Sequence, residues 1–287
     1  MKFGLIPVNV GSSSAESVVA LAQKAEEIGV ESVWTFEHAI VPVEYASKYP
    51  YSADGKMGVT PETPFLDPLI ALTLVAAHTQ KIRLGTGVNI LPQVSPLLLA
   101  KQSASLDVIS GGRFMLGVGI GWLEEEFNAM GVPFGRRGAR FDDYIVAMRK
   151  VWSEGVVEHE SEFVQWSGFK SYPLPQQDPF PVVIGGSKGK AFQRIARYGQ
   201  GWFAPTPEVG RLSEDLEKLA KACEEEGRDV STVEISCMWT PQMGLDSVKA
   251  FEEIGVSRLV VPLFAFGPGN PIQALDKLGN DVIAALK

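Results

Sequence analysis

A chain of 287 residues with 45% hydrophobic side chains can bury a large core, and its formal net charge of −8 excludes the usual signature of a nucleic-acid or anionic-membrane partner. Its two cysteines, Cys223 in a charged helical stretch and Cys237 in a strand-like run, lack metal-ligand spacing; they read as reduced, buried thiols, and no metal site is expected. Met1-Lys2 runs straight into Phe3-Gly4-Leu5-Ile6-Pro7-Val8, too short for a signal peptide, and no apolar stretch approaches the roughly 20 residues of a membrane span, so a cytoplasmic protein is expected.

In chain order, residues 3–8 predict a buried strand. Ser13 and Glu16 have capping-box spacing, and Val18, Leu21, Ala22 and Ala25 make one helical face that ends at Gly29. Strand 31–36 follows, then a long connection, 37–66, carrying Tyr45, Tyr49, Tyr51 and Asp54-Gly55. Helix 67–79, strand 82–88, helix 97–109 and strand 113–119 come next, followed by helices 122–130 and 138–153. Residues 154–180 form an insertion in which the alternating piece Val157 to Trp166 reads as a hairpin. The remainder alternates: strand 181–185, helix 189–198, strand 201–204, helix 208–226, strand 232–238, helix 246–254, strand 257–263 and a final helix near 271–286. Glu-Glu-Ile-Gly-Val closes a helix and opens a strand at both 26–30 and 252–256, and Gly199 and Gly227 read as left-handed helix ends.

Eight strands, each followed by a helix, in a single domain spanning 1–287 predict an α/β fold of the (β/α)8 TIM-barrel type, with a long loop after the second strand and an insertion before the fifth. An open doubly wound sheet is also compatible with the strand count. The 37–66 connection leaves the C-terminal end of a strand, where barrel active sites lie, which makes it the lid candidate.

Candidate site residues are therefore sought at the strand ends. Leu116-Gly117-Val118-Gly119-Ile120-Gly121 puts three glycines on one strand face and fills the other. The spacing is G-x-G-x-G, and no acidic residue follows at the ribose position, so Gly117, Gly119 and Gly121 indicate a bound ligand or close packing but not a dinucleotide fingerprint. His38, one of three histidines, follows an acid at a strand end where an imidazole can relay a proton, whereas His78 and His159 read as structural or exposed. Glu37 is open between a partner of His38, a hydrogen-bonding group for a cofactor edge, and a solvated acid. Gly185-Gly186-Ser187-Lys188 reads as a strand end opening directly into a helix, whose free amides would join a hydroxyl and an ammonium in an anion cradle. Gly135-Arg136-Arg137-Gly138-Ala139-Arg140 is the most compact basic cluster, open between an anion contact and a solvated helix start. Tyr45, Tyr49, Tyr51, Trp122, Trp166, Trp202 and Trp239 suggest an aromatic rim for an apolar or ring-containing substrate, with at least half of the tryptophans expected in the core.

Taken together, these residues resemble the bacterial luciferase-like superfamily, and most closely its F420-dependent oxidoreductase branch. The resemblance rests on Ser32-Val33-Trp34 leading to Glu37-His38 and Val41-Pro42, Tyr49-Pro50-Tyr51-Ser52 with Asp54-Gly55, and Pro64-Phe65-Leu66-Asp67-Pro68. It continues through Ile82 to Val88, Ser110-Gly111-Gly112-Arg113, Gly117 to Trp122, Gly185-Gly186-Ser187 and Gly199-Gln200-Gly201-Trp202. It implies a flavin or deazaflavin at the C-terminal face of the barrel, a non-prolyl cis peptide at Gly87-Val88 with Asn89 beside it, and His38 near the redox edge of the ring. The glycine ladder then reads as clearance for that ring, Gly185 to Lys188 as the holder of the cofactor phosphate, and a homodimer as the family habit. The implied activity is hydride transfer between coenzyme F420 and a small organic substrate. Two alternatives stand beside it: an FMN-dependent monooxygenase using O2 and fed reduced flavin by a separate reductase, and a non-catalytic flavin-binding relative. Two departures matter. Phe36-Glu37-His38 stands where the branch usually has Ser-Asp-His, and Trp122 replaces an acid that some deazaflavin dehydrogenases use as a proton donor.

Overall fold

The computed structural model describes residues 1–12, 14–267 and 269–286. Its eight parallel staves are β1 (Lys2–Ile6), β2 (Ser32–Thr35), β3 (Arg83–Thr86), β5 (Phe114–Gly119), β8 (Val182–Gly185), β9 (Gly201–Ala204), β10 (Glu234–Met238) and β11 (Arg258–Pro262). A two-residue segment, β4 (Asn89–Ile90), continues the third stave, and β6 (Val157–Glu160) with β7 (Gln165–Phe169) forms the antiparallel hairpin of the insertion. The sheet runs β3-β2-β1-β11-β10-β9-β8-β5, and the β3–β5 pairing closes it. This is a (β/α)8 barrel, and the open-sheet alternative falls.

The helices are α1 (Ala15–Ile28), α2 (Pro68–His78), α3 (Pro96–Ser110), α4 (Glu124–Ala129), α5 (Arg137–Val151), α6 (Ala191–Tyr198), α7 (Val209–Glu225), α8 (Leu245–Glu253) and α9 (Pro271–Lys277). No described helix is long and apolar enough to cross a membrane. Ser13 of the expected capping box lies outside the described residues; the cap of α1 is Ser14, whose hydroxyl accepts from the amide of Ser17. Gly199 is not left-handed: its φ is −86°, and a Cβ there would meet the carbonyls of Gly201 and Ile195 at 3.0 and 3.1 Å, so close packing selects glycine. The last expected helix stops at Lys277 and continues as a π-helical turn, Leu278–Ile283.

Inward side chains of alternate strand positions fill the barrel: Ile6, Trp34, Met115, Val183, Phe203 and Val260 pack as one cluster, with Phe36, Val88 and Met238 against it. Trp34 dominates, and Gly4 and Gly85 exist beside it because a Cβ at either would press on its indole. Below this layer, at the N-terminal strand ends, Arg258 is fully buried and meets Glu31 through two hydrogen bonds, of 2.7 and 2.9 Å. It also donates to Glu234 and Ser236, each at 3.0 Å. A charged plug therefore closes the bottom and leaves the C-terminal face for chemistry.

Candidate active site at the C-terminal face

The third stave breaks its ladder at Thr86. In place of a backbone pair, the Thr86 hydroxyl donates to the carbonyl of Gly117 at 2.7 Å and accepts from its amide at 2.8 Å. The Gly87-Val88 peptide is cis, as the resemblance implies, and the strand rejoins its neighbour through Asn89 and Ile90, opposite Val118 and Gly119. The glycine ladder is where this bulge fits. A Cβ on Gly117 would lie 1.7 Å from the Thr86 carbonyl oxygen, one on Gly119 2.8 Å from Val88 Cγ2, and one on Gly185 3.2 Å from Val88 Cγ1. The face read as bare at 117 and 119 is thus filled by the protein's own Val88, and the glycines seat the bulge.

Glu37 leaves the end of β2 and turns toward this segment. Its Oε2 accepts from the amide of Ile90, and its Oε1 lies 3.0 Å from the side-chain nitrogen of Asn89. Part of the residue reaches solvent, but its carboxyl end is enclosed. Burial, only partly countered by the Ile90 amide and reinforced by the charges of Glu126 and Asp67, pushes that carboxyl up to about 8. Beside it, the side-chain oxygen Oδ1 of Asn89 is buried and has no hydrogen-bond partner among the described residues.

Of the three roles open to Glu37, partnership with His38 is therefore not the one observed. The imidazole is held by Glu126: Nδ1 of His38 stands 3.2 Å from Oε2 of Glu126, a residue 1% exposed. The other oxygen of Glu126 accepts from the amides of Ala39 and Ile40 at 2.6 and 3.3 Å. Nε2 of His38 has no hydrogen-bond partner among the described residues. The ring is met edge-on by Phe65 and Trp122, and Trp122 is flanked by Tyr45 and Tyr49 with centroids 5.9 and 5.1 Å away. The rim accordingly comes from the 37–66 loop and Trp122, while Trp202 and Trp239 are fully buried.

The long loop is pinned at both ends by one buried residue. Asn9 donates to the carbonyls of Phe36 and Leu66 at 2.8 and 2.7 Å and accepts from the Phe36 amide at 3.0 Å. Its middle rests on α4, where Glu125 accepts from the amides of Ala46 and Ser47 at 2.6 and 3.2 Å. Burial raises the Glu125 carboxyl, but these donors and the Ser47 hydroxyl outweigh it and hold it at about 2. Sequence reasoning missed Asn9, Glu125 and Glu126. The signal for the two acids was the run Glu124-Glu125-Glu126 just after the glycine ladder. His159, read as structural or exposed, is buried and hydrogen-bonded to Asp143 at 2.7 Å, and His78 is exposed.

At the end of β8, Gly185, Gly186, Ser187 and Lys188 form a turn that does not open a helix directly. The helix α6 starts three residues later, at Ala191, behind Lys190 and without a side-chain cap, and Trp202 donates to the Gly186 carbonyl at 2.8 Å. The turn therefore offers its own backbone and the side chains of Ser187 and Lys188.

A description of luciferase-like monooxygenases as a family matches residues 1–276 of this sequence. The chain belongs to the luciferase-like monooxygenase family. An uncharacterized protein of Mycobacterium tuberculosis is 32% identical over 274 residues, covering 93% of this chain and 94% of the relative. An F420-dependent hydroxymycolic acid dehydrogenase of the same organism is 28% identical over 222 residues, 76% of this chain and 56% of that protein. Among solved structures, the coenzyme F420-dependent tetrahydromethanopterin reductase of Methanopyrus kandleri superposes with a TM-score of 0.79 at 17% identity, covering 100% of this chain and 99% of that one. The oxygenating constituent of 3,6-diketocamphane monooxygenase from Pseudomonas putida, in complex with FMN, does so at 0.70 and 16% identity, with 98% of each chain covered. Members of this family are oxidoreductases and monooxygenases, and of the neighbours named above, the reductase uses F420 and the camphane monooxygenase constituent holds FMN.

Proposed function

We propose that this chain is an F420-dependent oxidoreductase that exchanges a hydride between the deazaflavin and a small organic substrate, with the whole chain working as one domain. The observation that carries this reading is His38. Its Nδ1 is committed to a buried carboxylate, its Nε2 is free of protein partners among the described residues, and an aromatic wall stands beside it at the C-terminal face. The site also fits a flat ring with a polar edge. Val88 is set as a partly exposed apolar surface between Gly119 and Gly185, and Asn89 beside it keeps a carbonyl oxygen without a partner.

When bound, the deazaflavin supplies a carbon centre that gives or takes a hydride. The chain's own contribution is positioning, electrostatics and water exclusion. Gly87, Val88 and Asn89 would hold the ring, on a segment that Gly117, Gly119 and Gly121 support from behind. Gly185, Gly186, Ser187 and Lys188 would hold the cofactor phosphate through turn amides, a hydroxyl and an ammonium. Glu126 fixes the imidazole with its proton on Nδ1, so Nε2 is the atom that accepts or returns a proton at the substrate. Glu37, protonated near neutrality, braces the Val88–Ile90 segment. The Tyr45, Tyr49 and Trp122 wall covers an apolar or ring-containing substrate.

The FMN-dependent monooxygenase reading draws support from the FMN-bound structure that shares the fold along the full chain, and it adds a separate reductase as partner. A homodimer in the cytoplasm belongs to both readings. Purified protein is titrated with F420 and with FMN while substrate turnover is followed. Micromolar or tighter F420 binding with turnover that falls in His38→Ala is expected. Tight FMN binding without F420 binding overturns the leading reading, and full turnover in His38→Ala removes this residue from the mechanism.

A further inference from the structure

The C-terminal face of the barrel divides into two chemically different halves. On one side, the stretches that lead from β5 into α5 and from β8 into α6 carry Arg136, Arg137, Lys188 and Lys190. On the other side lie four neighbouring staves, β9, β10, β11 and β1. The segments that follow them, 205–208, 239–244, 263–267 and 7–12, contain no lysine or arginine, and their one ionisable side chain is Glu208.

Apolar side chains take the place of charge there. Phe36, just past the end of β2, and Met238, at the end of β10, rest on the inner cluster of the barrel, and each keeps part of its surface exposed. Beyond β11, the turn Leu263–Phe266 leaves Phe264 67% exposed, while Leu263 and Phe266 pack on the core. The turn is held in place by the neighbouring segment, where Gln242 Nε2 donates to the Ala265 carbonyl at 2.7 Å. A single exposed apolar side chain is ordinary; a phenyl ring at the rim of a cation-free active face, with two more half-exposed apolar residues at its strand ends, is the lining of a ligand site. His38 stands at the border of this half, since β2 is the stave next to β1. Its charged neighbour is the Glu126 carboxylate, and Glu125 precedes that residue in the chain. An anionic group on a molecule at Nε2 would therefore meet carboxylates and find no cation in the half beyond.

We propose that a substrate at His38 extends into the β9–β1 half, with an uncharged apolar group seated among Phe36, Met238 and Phe264, and that this half rejects carboxylates and phosphates. Phe264 is then a specificity-determining residue, and the substrate class is an uncharged apolar organic molecule. The proposal rests on the placing of substrate at His38 given above, and not on which cofactor is bound.

The test compares two probes of similar size, uncharged acetophenone and anionic benzoate, by saturation-transfer NMR on the full chain. The chain is loaded with whichever of F420 and FMN it binds, or used unloaded if it binds neither. The proteins are wild type, Phe264→Ala, Phe264→Lys and, as a control, Tyr172→Ala, which removes a ring 57% exposed on the insertion. Acetophenone is expected to bind wild type at least about tenfold more tightly than benzoate does. Its affinity is expected to fall at least about fivefold in Phe264→Ala and to stay unchanged in Tyr172→Ala. Phe264→Lys places a cation on the wall and is expected to shift the preference toward benzoate by at least about tenfold. Absence of saturable acetophenone binding, equal affinity for benzoate in wild type, or unchanged acetophenone affinity in Phe264→Ala overturns the proposal. Equal losses at 264 and 172 mark non-specific adsorption and do the same. Unchanged probe binding with an altered oligomeric state in Phe264→Lys assigns the ring to a contact between copies, and also overturns it. No arm uses turnover, so failure of the F420 reading leaves this test standing, and failure here leaves that reading intact.

Discussion

Nδ1 of His38 and Oε2 of Glu126 meet at 3.2 Å across 88 residues of sequence, and the second oxygen of the same carboxylate holds the first amides of the long loop. One buried group thereby sets both the tautomer of the imidazole and the start of the loop that covers it. Glu126→Gln separates the two. The new amide oxygen still accepts from Ala39 and Ile40, while the amide nitrogen donates toward Nδ1 and drives the imidazole proton to Nε2. The expected outcome is a fall in kcat of at least about tenfold with KM little changed, within the range of one proton-transfer group. Nitrogen NMR of the imidazole reports the tautomer change. Glu126→Gln/His38→Ala is expected to be no slower than His38→Ala, because both changes act through one ring.

Glu37 gives a pH dependence of defined sign. Its folded carboxyl lies at about 8, above the ordinary value of 4.5, so the folded chain holds a proton that the unfolded chain releases between those values. Stability from this group is fully present below about pH 4.5 and is lost as pH rises through 8. Glu37→Gln keeps a neutral acceptor for the Ile90 amide and can donate to Asn89, without the ionisation. Thermal melts from pH 5 to 9 are expected to show wild type falling by more than about 2 °C relative to Glu37→Gln. Parallel curves remove the protonated carboxyl from the account.

The barrel was legible because burial imposes periodicity: all eight predicted strands fall within one or two residues of the observed staves, and α1, α3 and α7 are matched as closely. The site was less so, for an identifiable reason. Alternation told that Gly117 and Gly119 leave a face without side chains, but not which atoms come to it, since Val88 arrives from a neighbouring strand. Likewise Glu37 and His38 are adjacent in sequence, yet their side chains diverge, one to Asn89 and the other to Glu126. Tertiary partners 52 and 88 residues away carry no local pattern. The turn at 185–188 was misjudged for a smaller reason: Gly189 and Lys190 intervene before the helix, and glycine-rich strand ends do not fix a helix start.

The seating of the bulge predicts a graded response along the ladder. Gly117→Ala sets a methyl 1.7 Å from a backbone oxygen, which cannot retreat without opening β3, and a loss of more than about 4 kcal/mol is expected in denaturant unfolding. Gly119→Ala meets only a side chain, Val88 Cγ2 at 2.8 Å, so it costs less and is partly rescued by Val88→Ala. Gly135→Ala, with nothing within 4 Å, stays within about 0.5 kcal/mol of wild type. Equal effects at 117 and 135 would contradict this packing.

At the opposite end of the barrel, Arg258 separates stability from activity. Burial pushes the Glu234 carboxyl up, but Arg258 and Lys2 outweigh it and hold it at about 2; Arg258 likewise keeps Glu31 below its usual range against the same burial. These depressed values mean stability that is present above about pH 4.5 and lost as pH falls toward 2. Arg258→Met removes the buried cation that Glu31 and Glu234 share, leaving only the less buried Lys2 and Arg83 beside them, and about 3–5 kcal/mol of destabilisation at pH 7 follows. Its unfolding free energy is also expected to fall less steeply than that of wild type between pH 5 and 3, because the two carboxylates resist protonation less with only Lys2 and Arg83 beside them. Turnover per folded molecule at 25 °C is expected to stay near wild type, since the plug lies at the N-terminal strand ends and the His38 constellation at the other. A turnover loss matching that of Glu126→Gln, in protein shown to be folded by circular dichroism, would mean that the two ends of the barrel are coupled through Trp34, whose ring lies 5.6 Å from the Arg258 guanidinium.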